Sequence, residues 1–140
     1  MQIFLVGTAL ETAKCLDRRR LNKQIIEAQQ IINAIEGKSE AWRKHPVTIM
    51  YENSLGFLRA YKSCLKAYKE NRIQCANWFS DFCERTKPEF LENADWYLEN
   101  MKNRLFTKNK EWYGKFFPNA KESFVNYYYV NNSWKKYEQH

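Results

Sequence analysis

Residues that break or sharply turn a backbone are scarce in this chain. Its 140 residues include four glycines and three prolines, too few for an all-β protein with many tight turns. Histidine occurs only at positions 45 and 140, which argues against histidine-rich metal sites and makes a Ser-His-Asp arrangement hard to build. The four cysteines, Cys15, Cys64, Cys75 and Cys83, form no Cys-x-x-Cys pair. A zinc ribbon is therefore not expected, and free, largely buried thiols in a reducing compartment are. The glycines are scattered, so there is no glycine-rich phosphate loop. No apolar run approaches the ~18 residues of a spanning helix. The opening MQIFLVG is too short for a signal peptide and has no basic leader. The expectation is a cytoplasmic protein without a membrane partner.

What the chain does have is apolar and basic. Hydrophobic residues make up 44%, aromatics 16%, and the formal net charge is +7. The length fits one domain spanning residues 1–140 with one core, and the aromatics should carry much of its packing. A basic domain of this kind commonly meets a polyanion, although solubility alone would also account for the charge.

Helical punctuation is plain in the first third. Thr8 and Glu11 have capping-box spacing, predicting a short helix over 9–15. Asp17 before residue 18 and Gly37 after residue 35 bracket a second helix. Leu21, Ile25, Ala28, Ile32 and Ile35 recur at steps of three and four along it, with Ile26 and Ile31 widening the stripe. Pro46 suits a first helical turn, and Val47, Tyr51, Ser54, Leu58, Tyr61, Leu65 and Tyr68 keep one spacing. They predict a long central helix over 46–71, with Gly56 inside it allowing a close helix contact. Shorter helices are expected over 76–83 and 95–106, separated by a break at Lys87-Pro88. After Lys108 the chain becomes an irregular tail rich in aromatics and lysines. The expected fold is all-α: a compact helical bundle carrying that tail.

Two features could carry chemistry, and each has a plain alternative. On the second helix Arg20, Lys23, Gln24, Glu27 and Gln30 share one side. This is either a solvated face with a Lys23–Glu27 ion pair, or cations and amides holding a phosphate around an acid–base carboxylate. In the tail, Trp112, Tyr113 and Lys115 are the candidates to face a ligand. Rings stack on unpaired bases while lysines hold phosphates, or the rings simply cover the helices. His45 either caps the helix that Pro46 opens or lends a donor to a phosphate there.

Three segments carry a family resemblance: LDRRRLNKQIIEAQQII, WRKHPVTIMYENSLGFLRAYKSCLKAY and RLFTKNKEWYGKFFP. In order and spacing the chain resembles the pyrimidine-dimer DNA glycosylase/AP lyase family, the phage-type endonuclease V enzymes. The resemblance implies a mostly helical domain that cuts the glycosidic bond at a damaged pyrimidine in double-stranded DNA and then nicks the abasic strand. It implies an N-terminal α-amine as nucleophile, which falls on Met1, and a supporting glutamate, which falls on Glu27. No metal or other cofactor is implied. Arg20, Lys23, Gln24, Gln30, Lys44 and His45 would contact DNA. The chain departs from the family pattern where arginine is expected beside the glutamate: Ile25 and Ile26 stand there, and Gln30 replaces a further arginine. Two other readings follow: a non-catalytic protein of the same fold holding nucleic acid or a small nucleotide, and an interaction module whose aromatic tail makes an oligomer interface.

Overall fold

The computed structural model describes residues 1–138; His140 lies outside them. The chain enters as a segment without regular secondary structure, residues 1–5, whose Gln2, Ile3, Phe4 and Leu5 are buried. Helix α1 spans Ala9–Cys15 and α2 spans Arg18–Ile35. The capping box forms: Thr8 Oγ1 accepts from Glu11 N at 3.1 Å, and Glu11 Oε1 accepts from Thr8 N at 3.1 Å. Past α2, Gly37 takes φ +76°, a conformation that an L side chain would strain.

The predicted central helix is two helices, α3 (Pro46–Tyr51) and α4 (Leu55–Lys69). Asn53 and Ser54 interrupt it; such side chains compete with the helical backbone. The turn they make stacks Tyr51 on Phe57 with centroids 6.0 Å apart. The three-four spacing continues across the break because residues on both sides face one core, and periodicity records burial rather than continuity. Gly56 consequently lies in the first turn of α4. It is exposed, and an added Cβ would meet nothing within 4 Å, so it makes no close helix contact. Ile26 also departs from expectation, being 58% exposed, whereas Ile31 is fully buried.

Helix α5 covers Ile73–Arg85, a short 3-10 turn covers Glu89–Leu91, and α6 covers Asp95–Lys108. The tail is regular rather than irregular. It contains α7 (Lys110–Phe116) and an antiparallel hairpin of β1 (Val125–Val130) and β2 (Ser133–Glu138). Asn131 and Asn132 take φ of 53° and 62°, as a two-residue hairpin turn requires. Residues 126, 128 and 130 are buried while 125, 127 and 129 are half-buried. This period of two in β1 was masked by three consecutive tyrosines, Tyr127 to Tyr129. The fold is thus mostly helical with one small sheet.

The core centres on α4, which packs against α1, α2 and α5. Strand β1 lies against α3 and α6, and α7 against α6. All four cysteines are free. Burial pushes the thiols of Cys15, Cys64 and Cys83 up to about 12, which leaves them poor nucleophiles. Among the described residues no helix is long and apolar enough to cross a membrane.

Candidate active site

Among the described residues the buried N-terminal segment pairs with no strand, so its backbone polar groups must find side chains. Gln24 on α2 supplies most of them. Its Nε2 donates to Gln2 O at 2.9 Å and to Glu27 Oε2 at 3.0 Å. Its Oε1 accepts from Phe4 N at 3.0 Å. The Tyr61 hydroxyl, from α4, lies 2.8 Å from that oxygen and 2.6 Å from Phe4 O. Both donors of the amide are therefore occupied, and its oxygen accepts from Phe4 N and shares the single Tyr61 hydroxyl proton with Phe4 O. One side chain sets the height of the N-terminal segment on α2 and orients Glu27 one turn further on.

Beside this junction opens a cleft of about 240 Å³ lined by Met1, Gln2, Phe4, Arg19, Arg20, Lys23, Gln24, Glu27, Arg104 and Lys108. Five basic side chains thus surround one carboxylate and the α-amine. Glu27 is 13% exposed at its side chain, and Lys23 Nζ stands 3.9 Å from it with its own side chain 66% exposed. Such a loose, screened contact adds little stability. The ordinary ion pair is present, but the carboxylate is fixed by Gln24 and walled by the cleft.

Helix α6 closes the far side. Arg104 and Lys108 are one turn apart and so share a face. Arg104 donates from Nε to Asn126 Oδ1 at 3.0 Å and from Nη1 to Ser123 O at 2.9 Å. Arg20 is held by Asp17 at 3.2 Å, and its Nη2 lies 3.5 Å from Lys108 O. Asp17 begins α2 but does not cap it with its side chain; its carboxylate instead accepts from Arg20 and from the Tyr113 hydroxyl at 2.5 Å.

The clustered charge alters the α-amine. Burial is the largest influence and lowers its pKa below the usual 8.0; Glu27 opposes this, while Lys23, Lys108 and Arg104 add to the lowering. A larger neutral fraction near pH 7 follows. Lys108 is lowered as well, by loss of water and then by repulsion from Arg104, Arg20 and Lys23. His45 is lowered by burial and then by the Met1 ammonium.

Of the residues singled out from the sequence, Met1, Arg20, Lys23, Gln24 and Glu27 come together in this cleft. Gln24 is 2% exposed and bonded inward. Gln30 is exposed on α2 and Lys44 in the turn before α3; neither lines the cleft. His45 caps α3 through Nδ1, which accepts from Val47 N at 3.0 Å. Tyr113 is fully buried, and Trp112 donates its indole N–H to Cys15 O at 2.8 Å. Lys115 sits over the Trp112 ring, 5.7 Å from its centroid. This group lies on α7 outside the cleft. Ile25 is half-buried against the core and Ile26 exposed; the cleft's cations are Arg19, Arg20 and Lys23 elsewhere on α2, joined by Arg104 and Lys108 from α6. Arg19, Arg104, Gln2 and Phe4 were not singled out, and Lys108 only marked the start of the tail. For Arg104 the available signal was its four-residue spacing from Lys108.

No curated protein and no solved structure matches this chain. A family model described as pyrimidine dimer DNA glycosylase matches residues 1–73, just over half of the 140. That stretch contains the N-terminal segment, all of α2 with Glu27, and the Tyr61 anchor on α4. On this match the chain belongs to the pyrimidine dimer DNA glycosylase family, whose members are DNA-repair enzymes acting on damaged pyrimidines.

Proposed function

We propose that the protein, as a single domain, is a DNA glycosylase with AP lyase activity on damaged or modified pyrimidines, working through a Schiff base at the Met1 α-amine. The observation that supports this most is that the amine and the Glu27 carboxylate line one cation-walled cleft. Glutamine at position 2 is bulky and disfavours methionine removal, so Met1 itself would present the amine. An α-amine titrates about 2.5 units below lysine before any perturbation, and the cleft lowers it further.

In the proposed sequence the neutral amine attacks C1′ of the damaged nucleotide. The C1′–N bond breaks, and the base leaves with its electron pair and takes up a proton. Loss of a proton from the amine nitrogen and opening of the sugar ring give an imine to Met1. Glu27 accepts and returns the protons of these steps. Removal of a C2′ proton then expels the 3′ phosphate by β-elimination, and water hydrolyses the imine. Arg19, Arg20, Lys23, Arg104 and Lys108 hold phosphates flanking the displaced nucleotide. Displacement costs a few kcal/mol, which their contacts offset. Lys44 and His45, with Trp112 and Lys115 on α7, would meet the duplex further from the lesion.

Borohydride reduction in the presence of duplexes bearing a pyrimidine dimer or an abasic site tests the scheme. A covalent adduct should form and map to Met1. Selective acylation of the α-amine should abolish it, and Glu27→Gln should slow its formation by roughly 10²-fold or more. An adduct on a lysine, or nicking indifferent to both changes, would refute the mechanism. Tight salt-sensitive binding with no adduct would instead support a non-catalytic nucleic-acid-binding protein.

A further inference from the structure

The family match stops at residue 73, yet the cleft does not. Strand β1 belongs to the last twenty residues of the chain, and its buried face presents Asn126 and Tyr128 in succession. Side chains two apart on a strand point the same way about 7 Å from each other. These two bond different residues of the cleft wall. The Tyr128 hydroxyl donates to Met1 O at 2.9 Å, the carbonyl of the residue that carries the amine. Asn126 Oδ1 accepts from Arg104 Nε at 3.0 Å, and Ser123 O, just before the strand, accepts from Arg104 Nη1 at 2.9 Å. Asn100 from α6 pins the strand's start, donating from Nδ2 to Val125 O at 2.9 Å.

We infer that β1 is a positioning element of the active site, with Tyr128 aiming the Met1 amine and Asn126 aiming the Arg104 guanidinium. The inference rests on the proposed amine chemistry. Gln24 and Tyr61 hold the segment at Gln2 and Phe4, beyond the first residue. Without Tyr128, Met1 would turn about its own backbone bonds, and its nitrogen would sample directions away from C1′. A reacting atom misplaced by about 1 Å can lose roughly 10²-fold in rate. The Tyr128 ring is held edge-on by His45 at 5.6 Å and by Tyr137 at 5.2 Å. His45 is fixed in turn by its cap on α3. The hydroxyl is therefore set by both halves of the chain. In the proposed scheme Arg104 has a different task, holding a phosphate, and it bears on the nucleophile through the charge that helps lower the amine pKa. The two strand residues should consequently affect different steps.

The experiment measures two quantities for each variant: the single-turnover rate of borohydride trapping on abasic duplex at saturating protein, and the Kd for duplex carrying a non-reactive tetrahydrofuran site. Tyr128→Phe keeps the ring and removes the hydroxyl. It should slow trapping about tenfold and leave Kd within about twofold. Asn126→Ala should raise Kd about tenfold and leave saturated trapping within about threefold. Tyr137→Phe, altered in the same ring cluster but not touching Met1, should change neither. A structural role alone would move both quantities together in each variant, and that result overturns the inference, as does parental behaviour of Tyr128→Phe. If the parent protein yields no adduct, the amine mechanism itself fails and this inference with it. An adduct from the parent with an unaltered Tyr128→Phe rate sinks only the inference.

Discussion

Two openings of similar size lie on this molecule and have opposite walls. The cleft at Met1 holds about 240 Å³, and a groove between α4 and α5 about 280 Å³. The groove is lined by Gly56, Arg59, Ala60, Ser63, Trp78, Phe79 and Phe82. Trp78 stands 57% exposed and stacks on Phe82 at 5.9 Å. Arg59 on its rim is bound to Glu36. Here the wall is mostly apolar side chains, with Ser63 and Arg59 as its polar members. In the cleft, Gln24, Tyr61, Asp17 and Asn126 each bond a group that in turn faces the opening. Volume does not distinguish the two; fastened polar groups around an ionisable centre do.

Three substitutions test that contrast. The largest effect is expected from Gln24→Leu, which strips the Phe4 N–H and Gln2 carbonyl of their partners and frees Glu27. Two buried orphan groups should cost about 3 kcal/mol, seen as a drop in Tm of about 10 °C. Trapping should fall even where the protein remains folded. A stable, active Gln24→Leu protein would mean that the junction is not what organises the cleft.

A smaller effect follows from Lys108→Met. Phosphate contact at this residue would contribute about one unit to the salt-dependence slope of DNA binding, which should fall by that amount. The sign of the pH effect is also set. Lys108 helps hold the α-amine pKa down, so its removal raises that pKa, and the amine stays protonated to higher pH. The rise of trapping rate with pH should shift upward in the variant; a downward shift would place the amine outside this field. The smallest effect is expected from Trp78→Ala in the groove. Loss of its ring contacts should cost about 1 kcal/mol in thermal unfolding and leave trapping unchanged within twofold. A large loss of trapping would show that the groove serves the reaction.

How much could be read in advance differed along the chain for local reasons. Thr8–Glu11, Asp17, Gly37 and Pro46 are caps and stops whose effect is complete within a few residues, so α1, α2 and the start of α3 carry the expected boundaries. The interruption at Asn53 and Ser54 was harder to see, because Tyr51 and Leu58 satisfy helical spacing on both sides of it. In the tail, Phe124, Tyr127, Tyr128, Tyr129 and Trp134 blur inward and outward positions, since an aromatic can cover a surface or fill a core. Only the Asn131-Asn132 turn offered a distinct hairpin signal. Within the cleft, Glu27 was legible as a polar residue beside an apolar stripe, whereas its meaning depended on what lay opposite.

Local signals suffice for a basic, mostly helical chain whose second helix sets Lys23, Gln24 and Glu27 about one turn apart. Caps, spacing and composition act over a few residues and need no distant partner. Long-range packing is what turns Gln24 inward to clasp the N-terminal segment. It also brings Arg104 and Lys108 from α6, some eighty residues further along the chain, and lets Tyr128 reach Met1 across 127 positions. Those contacts arise from packing two ends of a chain around α4, and no local propensity records which distant side chain will meet a buried polar group.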